Sequence, residues 1–170
     1  MFKQYGFTLI EITIVILILT IMSLFAIPQF QNMMIAIEIH QLQQTLSMYL
    51  QQAKTDARLY HQNITLCPSQ DLISCHHNWN QGFIGFLDIN KNHQREANEE
   101  LLYTDATHYQ YGHLDWRGTL HQNSITFQAD TGLPRGSNGS FFYCMYQSHQ
   151  HIRILLSPMG QIRIEKIESC

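Results

Sequence analysis

Charge is scarce in this chain. Only 14% of its 170 residues are Asp, Glu, Lys or Arg, with 10 basic against 13 acidic, a formal charge of -3. So small and balanced a charge argues against a surface built wholly for nucleic acid. Catalytic signatures are missing as well. There is no G-x-S-x-G, no H-E-x-x-H and no Gly-rich phosphate loop, so no nucleophile, zinc protease or nucleotide site has a recognisable setting and no cofactor is implied. At 45% hydrophobic the chain is not a disordered tail. Its length suits one modest domain, and neither an internal repeat nor a second domain is apparent.

The apolar residues are unevenly spread. From Phe7 to Ile27 the chain has one charge, Glu11, and neither glycine nor proline. As a helix this run reaches roughly 31 Å, the thickness of a bilayer's hydrocarbon core. It is too long for an ordinary secretory h-region, and no A-x-A site comes after it. Lys3, the one charge before it, places the N-terminus in the cytoplasm and the remainder outside. A carboxylate within such a helix costs about 2.5–3.5 kcal/mol on insertion scales, so Glu11 either reaches water at the membrane face or finds a positive partner.

Beyond Pro28, apolar residues continue at intervals of three and four: Ile35, Ile39, Leu42, Leu46, Tyr49, Ala53, Ala57 and Tyr60. This stripe predicts an amphipathic continuation over 28–61, with Gln41, Gln43, Gln44, Gln51, Gln52, Lys54 and Asp56 off it. Strand patterns come next at Ile64–Cys67, Gly82–Asp88, Leu101–Thr104, Ser124–Asp130, Ser140–Tyr146, His151–Ser157 and Gln161–Ile167. In Ser124–Asp130, Ile125, Phe127 and Ala129 fall on one face, Thr126 and Gln128 on the other. Pro158-Met159-Gly160 reads as a hairpin loop. If Ser157 pairs with Gln161, then Ile152, Ile154, Leu156, Ile162 and Ile164 share the buried face, and Arg153 lies opposite Glu165. The class is α+β: a long N-terminal helix on an antiparallel β domain over 62–170.

Gly6-Phe7-Thr8-Leu9-Ile10-Glu11 resembles the processing site of type IV pilins and of type II secretion pseudopilins. The resemblance implies a leader of residues 1–6, cleavage by a prepilin peptidase between Gly6 and Phe7, and N-methylation of Phe7. It implies that Glu11 pairs with the N-terminal amine of a neighbouring subunit. Pro28 falls where many pilins carry a helix-bending proline. Leu66-Cys67-Pro68-Ser69, Cys75, Trp79, Gly82, Phe86-Leu87-Asp88-Ile89-Asn90, Gly139 to Cys144 and Leu156 to Arg163 resemble the GspH/FimT group of minor pilins. This second resemblance implies a subunit that starts or caps a type IV pilus or a type II pseudopilus, anchored in the inner membrane with its β domain periplasmic. Its partners would be other pilins or pseudopilins and the peptidase.

Cys67, Cys75, Cys144 and Cys170 allow three pairings. The local one, Cys67–Cys75 with Cys144–Cys170, is favoured, and the expected topology puts all four outside the cytoplasm. Chain entropy assigns about 2.5 kcal/mol to the smaller loop and about 3.5 to the larger. The rival, a metal site of Cys67, Cys75, His76 and His77, needs free thiols and is disfavoured. Asp88-x-Asn90-x-Asn92-x-Gln94-x-Glu96-x-x-Glu99 has the spacing of an EF-hand calcium loop, but His93 stands at the glycine position and strands flank it. A polar hairpin loop is the plainer reading. Some FimT-type pilins bind DNA through a G-R-x-R hairpin; the matching residues are Gly160-Gln161-Ile162-Arg163, with Gln161 for the first arginine. Arg135, Arg153, Arg163 and Lys166 are the cations for that alternative, enough for weak, salt-sensitive binding.

Overall fold

The computed structural model describes residues 8–146 and 151–170; Gly6 and Phe7, the residues at the expected cleavage site, lie outside the described residues. One helix, α1, runs from Leu9 to Tyr60 and carries Pro28 within it. Among the described residues eight strands come after it: β1 (Asn63–Pro68), β2 (Phe83–Asp88), β3 (Leu101–Asp105), β4 (Gly112–Gly118), β5 (Ile125–Phe127), β6 (Gly139–Met145), β7 (His151–Leu156) and β8 (Ile162–Ile167). The described chain divides into two compact units, up to Glu38 and from Ile39 onward.

In the first unit α1 exposes hydrocarbon on every side: residues 8–32 are all exposed, among them Ile12, Val15, Leu19 and Phe25. By length and composition this part of α1 is able to cross a membrane. Its hydroxyls are satisfied within the helix. Thr13 donates to the Ile10 carbonyl at 2.8 Å, Thr20 to Leu17 and Ser23 to Leu19, both at 2.7 Å. A span in lipid has no water to serve these groups, so internal bonding is the only inexpensive solution.

The second unit is built around the last third of α1. Leu42, Leu46, Leu50, Ala53 and Ala57 are buried, a stripe of three- and four-residue steps. Tyr60, expected on it, is exposed, and Leu50 takes the place that Tyr49 only half fills. The two sheets have strand orders β3-β2-β1-β5 and β4-β6-β7-β8, every neighbouring pair antiparallel. Tyr49 meets Phe83 edge-on at 5.1 Å, and Trp79 touches both Phe83 and Phe141, so this indole joins the first sheet to the second. Gly85 stands opposite Tyr103, and a Cβ there would strike its ring. All six β2 residues are buried, because its second face (Ile84, Phe86) packs with Cys67 under Leu72, Cys75 and Leu101.

Three local expectations are corrected. β4 is not among the expected strands, although His113, Asp115 and Arg117 alternate there with inward Leu114 and Trp116 over a short stretch between two glycines. β5 stops at Phe127, because Gly132 N–H bonds back to the Gln128 carbonyl at 2.7 Å and closes a turn. Ile164 pairs with Ile154 in the expected register yet is 46% exposed; β8 is the outermost strand, and nothing described covers its inner side.

Asp56, expected on the polar side of α1, accepts a short hydrogen bond from the Tyr103 hydroxyl and ties helix to sheet. Burial first, then this carboxylate, raises the Tyr103 pKa far above the usual phenol value, so the ring stays protonated and donating. Tyr103→Phe keeps the ring against Gly85 and leaves Asp56 without its donor. Urea unfolding followed by tryptophan fluorescence should show a loss of about 2 kcal/mol; an unchanged midpoint would mean that the bond contributes nothing.

Candidate functional site

Three places hold the residues singled out in the sequence: the first turn of α1, the second face of the first sheet, and the outer face of the second sheet.

At the start of α1, Thr8 precedes the first helical residue and Glu11 is third within it. The Glu11 N–H lies 3.1 Å from the Thr8 carbonyl and 3.4 Å from its hydroxyl. This is the T-x-x-E arrangement of a capping box, and a carboxylate in the first turn also faces the positive end of the helix dipole. Such a cap lowers the cost of placing Glu11 here without neutralising it. No cation lies beside it among the described residues.

On the first sheet's second face a line of polar groups is buried. Thr65, Asp88 and Thr126 are each 4% exposed or less. The Thr65 hydroxyl donates to Asp88 Oδ2 at 2.8 Å and shares a 2.8 Å bond with the Thr126 hydroxyl. Thr126 in turn bonds His93 Nδ1 at 2.8 Å, and the His93 ring packs at a tilt against His121 with centroids 4.1 Å apart. This is why the polar side of β5 is covered rather than solvated. The loop 88–99 is held by its own acids. Asp88 accepts N–H bonds from Asn92 (3.1 Å) and His93 (3.2 Å), and Glu99 from Ile89 (3.0 Å) and Glu96 (3.1 Å). Lys91 and His93 both sit at φ +61°, so His93 adopts the turn that a glycine would otherwise supply. Among the described residues, no group of three His, Cys, Asp or Glu side chains could hold a metal.

The cysteines are joined as Cys67–Cys75, with Cα atoms 5.5 Å apart, and Cys144–Cys170, 6.0 Å apart. No thiol is free to bind an ion. His76 Nδ1 accepts the Gln70 N–H at 3.3 Å instead. Beside it, hydrogen bonds from the Ser74 hydroxyl and from the Ser74 and Ile73 N–H groups hold Asp71 well below the usual carboxylate range.

The four candidate cations do not converge. Arg153 and Arg163 share the outer face of β7 and β8, Lys166 lies on the opposite face, and Arg135 is in the turn before Gly136. Arg153 is already engaged: Nη1 is 3.7 Å from Glu165, and Nε donates to Ser140 at 3.1 Å. Sequence reasoning missed Arg117 on β4. Its guanidinium lies 4.2 Å from the Phe142 ring centre, which Arg153 approaches to 5.7 Å, and it pairs with Asp115 at 3.2 Å. The signal was the alternation His113, Asp115, Arg117 between inward Leu114 and Trp116. Each of these two arginines has its own acid, which leaves Arg163 as the cation on this face without an ion pair among the described residues.

His93 supplies a pH test of the buried line. Burial first, then the neighbouring His121, lowers its pKa below the ordinary histidine value of 6.5, against the pull of Asp88. Above that pH the ring is neutral in both folded and unfolded chains, and the stability is complete. As the pH falls through it the unfolded chain binds the proton first, so stability drops. The urea midpoint should fall between about pH 7 and about pH 5, and fall less in His93→Asn, which tolerates the positive φ. Equal slopes in the two proteins would show that His93 does not carry the effect.

The family model of the type II transport protein GspH matches residues 43–160, and the prokaryotic N-terminal methylation motif matches residues 1–27. Two crystal structures of the type IV minor pilin FimU from Pseudomonas aeruginosa are similar in fold. One, in space group P21, is 17% identical, with 75% of this chain and 90% of that one aligned at a TM-score of 0.56. The other, in space group P65, is 18% identical, with 75% and 95% aligned at 0.53. No curated protein matches the sequence.

Proposed function

This chain belongs to the GspH family, and from that premise we propose that it is a minor subunit of a type IV pilus or type II pseudopilus, helping to initiate or cap the fibre. The observation that carries the proposal is a single carboxylate, Glu11, in the first turn of a helix whose exposed neighbouring side chains are uncharged and mostly apolar. Lipid can solvate the hydrocarbon of such a helix but not the charge. Parallel packing of like helices answers both needs. Apolar faces cover one another, and Glu11 meets the amino terminus of an adjacent subunit.

For that pairing the leader has to be removed. In this reading a prepilin peptidase cuts after Gly6 on the cytoplasmic side, and Phe7 becomes the methylated first residue. The helix then holds the subunit in the inner membrane with its N-terminus inward, and the β domain faces the periplasm. Two disulfides suit that compartment. Mass spectrometry of the purified native chain should find an N-terminal N-methylphenylalanine at Phe7; a chain starting at Met1 would refute the processing.

A nucleic-acid role gains no support from the outer face of the second sheet. Arg117 and Arg153 are paired with Asp115 and Glu165, and Arg163, the one arginine of this face without an ion pair among the described residues, supplies too few phosphate contacts for appreciable binding.

Glu11→Ala removes the charge without shortening the apolar run. The variant is expected at the parent level in membranes, with its level in sheared fibres lower by about tenfold, the loss of one well-placed ion pair in lipid. Parent levels in the fibre would overturn the assembly role of Glu11.

A further inference from the structure

β4 forms one edge of the second sheet, and no strand lies beyond it among the described residues. Its main-chain bonds reveal which peptide groups face that open side. The Thr119 N–H bonds the Asn138 carbonyl at 2.9 Å, and the Tyr146 N–H bonds the Tyr111 carbonyl at 3.0 Å, both within the β4–β6 register. In an antiparallel ladder the bonded pairs alternate, so the odd-numbered residues of this segment turn their peptide groups toward β6. Leu114 and Trp116 turn theirs outward. The outward N–H of Leu114 is taken by the Asn80 side chain at 3.0 Å.

Next to Trp116 the edge opens on a cleft of about 330 Å³. Its lining runs from Asp115 to Gly118 and includes His77, Trp79, Gln122 and Asn123. Trp79 is 3% exposed, and its indole N–H is buried with no hydrogen-bond partner among the described residues. The second indole at the cleft is different, because Trp116 Nε1 donates to the His121 carbonyl at 3.2 Å. A buried donor without an acceptor is costly. The cleft therefore offers an outward peptide unit at strand spacing and an indole donor still to be satisfied.

We propose that this cleft receives a short extended segment of a neighbouring subunit of the fibre, which joins β4 as an added strand and accepts a hydrogen bond from Trp79 Nε1. The inference rests on the chain being a fibre subunit. Strand addition fits the chemistry better than a compact ligand does, since the free groups are main-chain groups and the polar walls offer no deeply buried charge. The stretch from Asp115 to Gly118 covers about 10 Å of edge at roughly 3.3 Å per residue, enough for about three added residues. So few bonds give weak affinity for a free peptide. A neighbour held in place by helix packing needs no more, because tethering raises its effective concentration to the millimolar range.

The test has two arms. In the first, the ¹⁵N-labelled full chain in detergent micelles is titrated with a capped Thr-Val-Thr-Val-Thr peptide at millimolar concentration. The Trp79 indole and Trp116 amide resonances should shift together, Trp116 amide exchange should slow, and Trp79→Phe should weaken the titration by about fivefold. No shift, or an equal shift with a peptide N-methylated at alternate amides, overturns strand addition. In the second arm, Gln122→Trp, which fills the cleft, and Trp79→Phe, which keeps an aromatic ring between the sheets while removing the indole N–H, are compared with the parent in sheared fibres. Both should reach the membrane normally and be incorporated several-fold less; incorporation at the parent level by both overturns the neighbouring subunit as occupant. If the parent chain itself is absent from fibres, the assembly reading fails and the neighbour falls with it, while the peptide titration still reports on the cleft alone.

Discussion

A helix that exposes hydrocarbon all round and carries one acid in its first turn imposes the main constraint on this molecule. Water does not tolerate the first property, and lipid does not tolerate the second. Thr8 at the cap and the helix dipole favour a carboxylate at Glu11, but these are fractions of the cost of an unpaired charge among acyl chains. The hydroxyls of Thr13, Thr20 and Ser23 show how the rest of the span is treated, since each is bonded to a helix carbonyl. Among the described residues of that stretch Glu11 is the one charged group, and no cation pairs with it.

The β domain meets the opposite requirement, stability in water. It uses the last third of α1 as a core element, and small side chains at Ala53 and Ala57 let the helix approach the sheets closely. Polar ties then fix the helix where apolar packing alone would let it slide. Asp56 accepts from Tyr103, Lys54 donates to the Met159 carbonyl at 3.2 Å, and Arg58 donates to the Thr131 carbonyl at 2.8 Å. These three residues reach the first sheet, the β7–β8 turn and the loop after β5. The helix is thereby fastened to three separate parts of the domain.

The sequence was most legible where periodicity is strong. The apolar run, the three- and four-residue stripe, and the strands around β1, β2, β6, β7 and β8 all follow from alternation or run length, and so does the Arg153–Glu165 register. It was least legible where one residue serves two neighbours. Thr126 reads as a solvent-side residue until Thr65 and His93 arrive from distant segments to cover it. Asp56 reads as solvated until Tyr103 comes within reach. β4 went unread because glycines bound it and its two inward residues are too few to set a period. With it went Arg117 and its place over Phe142. In each case the missing information is a contact between residues tens of positions apart, which no local window contains.

The same distinction separates the candidate sites. Glu11 is marked by its own surroundings in the chain, a charge amid an apolar run, so its chemistry is visible before any fold is known. The arginines of the second sheet gain meaning only from register. Once β7 and β8 are aligned, Arg153 is committed to Glu165 and Ser140; once β4 joins β6, Arg117 is committed to Asp115 and the Phe142 ring. A count of basic residues overstates what this face can offer an anion, because pairing within the sheet has already used most of it. Besides Arg163, the second sheet leaves main chain uncommitted: the outward peptide of Trp116, at the cleft that Trp79 also lines with an indole N–H that has no acceptor among the described residues. On the proposed reading, a polypeptide segment complements this edge better than a phosphate backbone would.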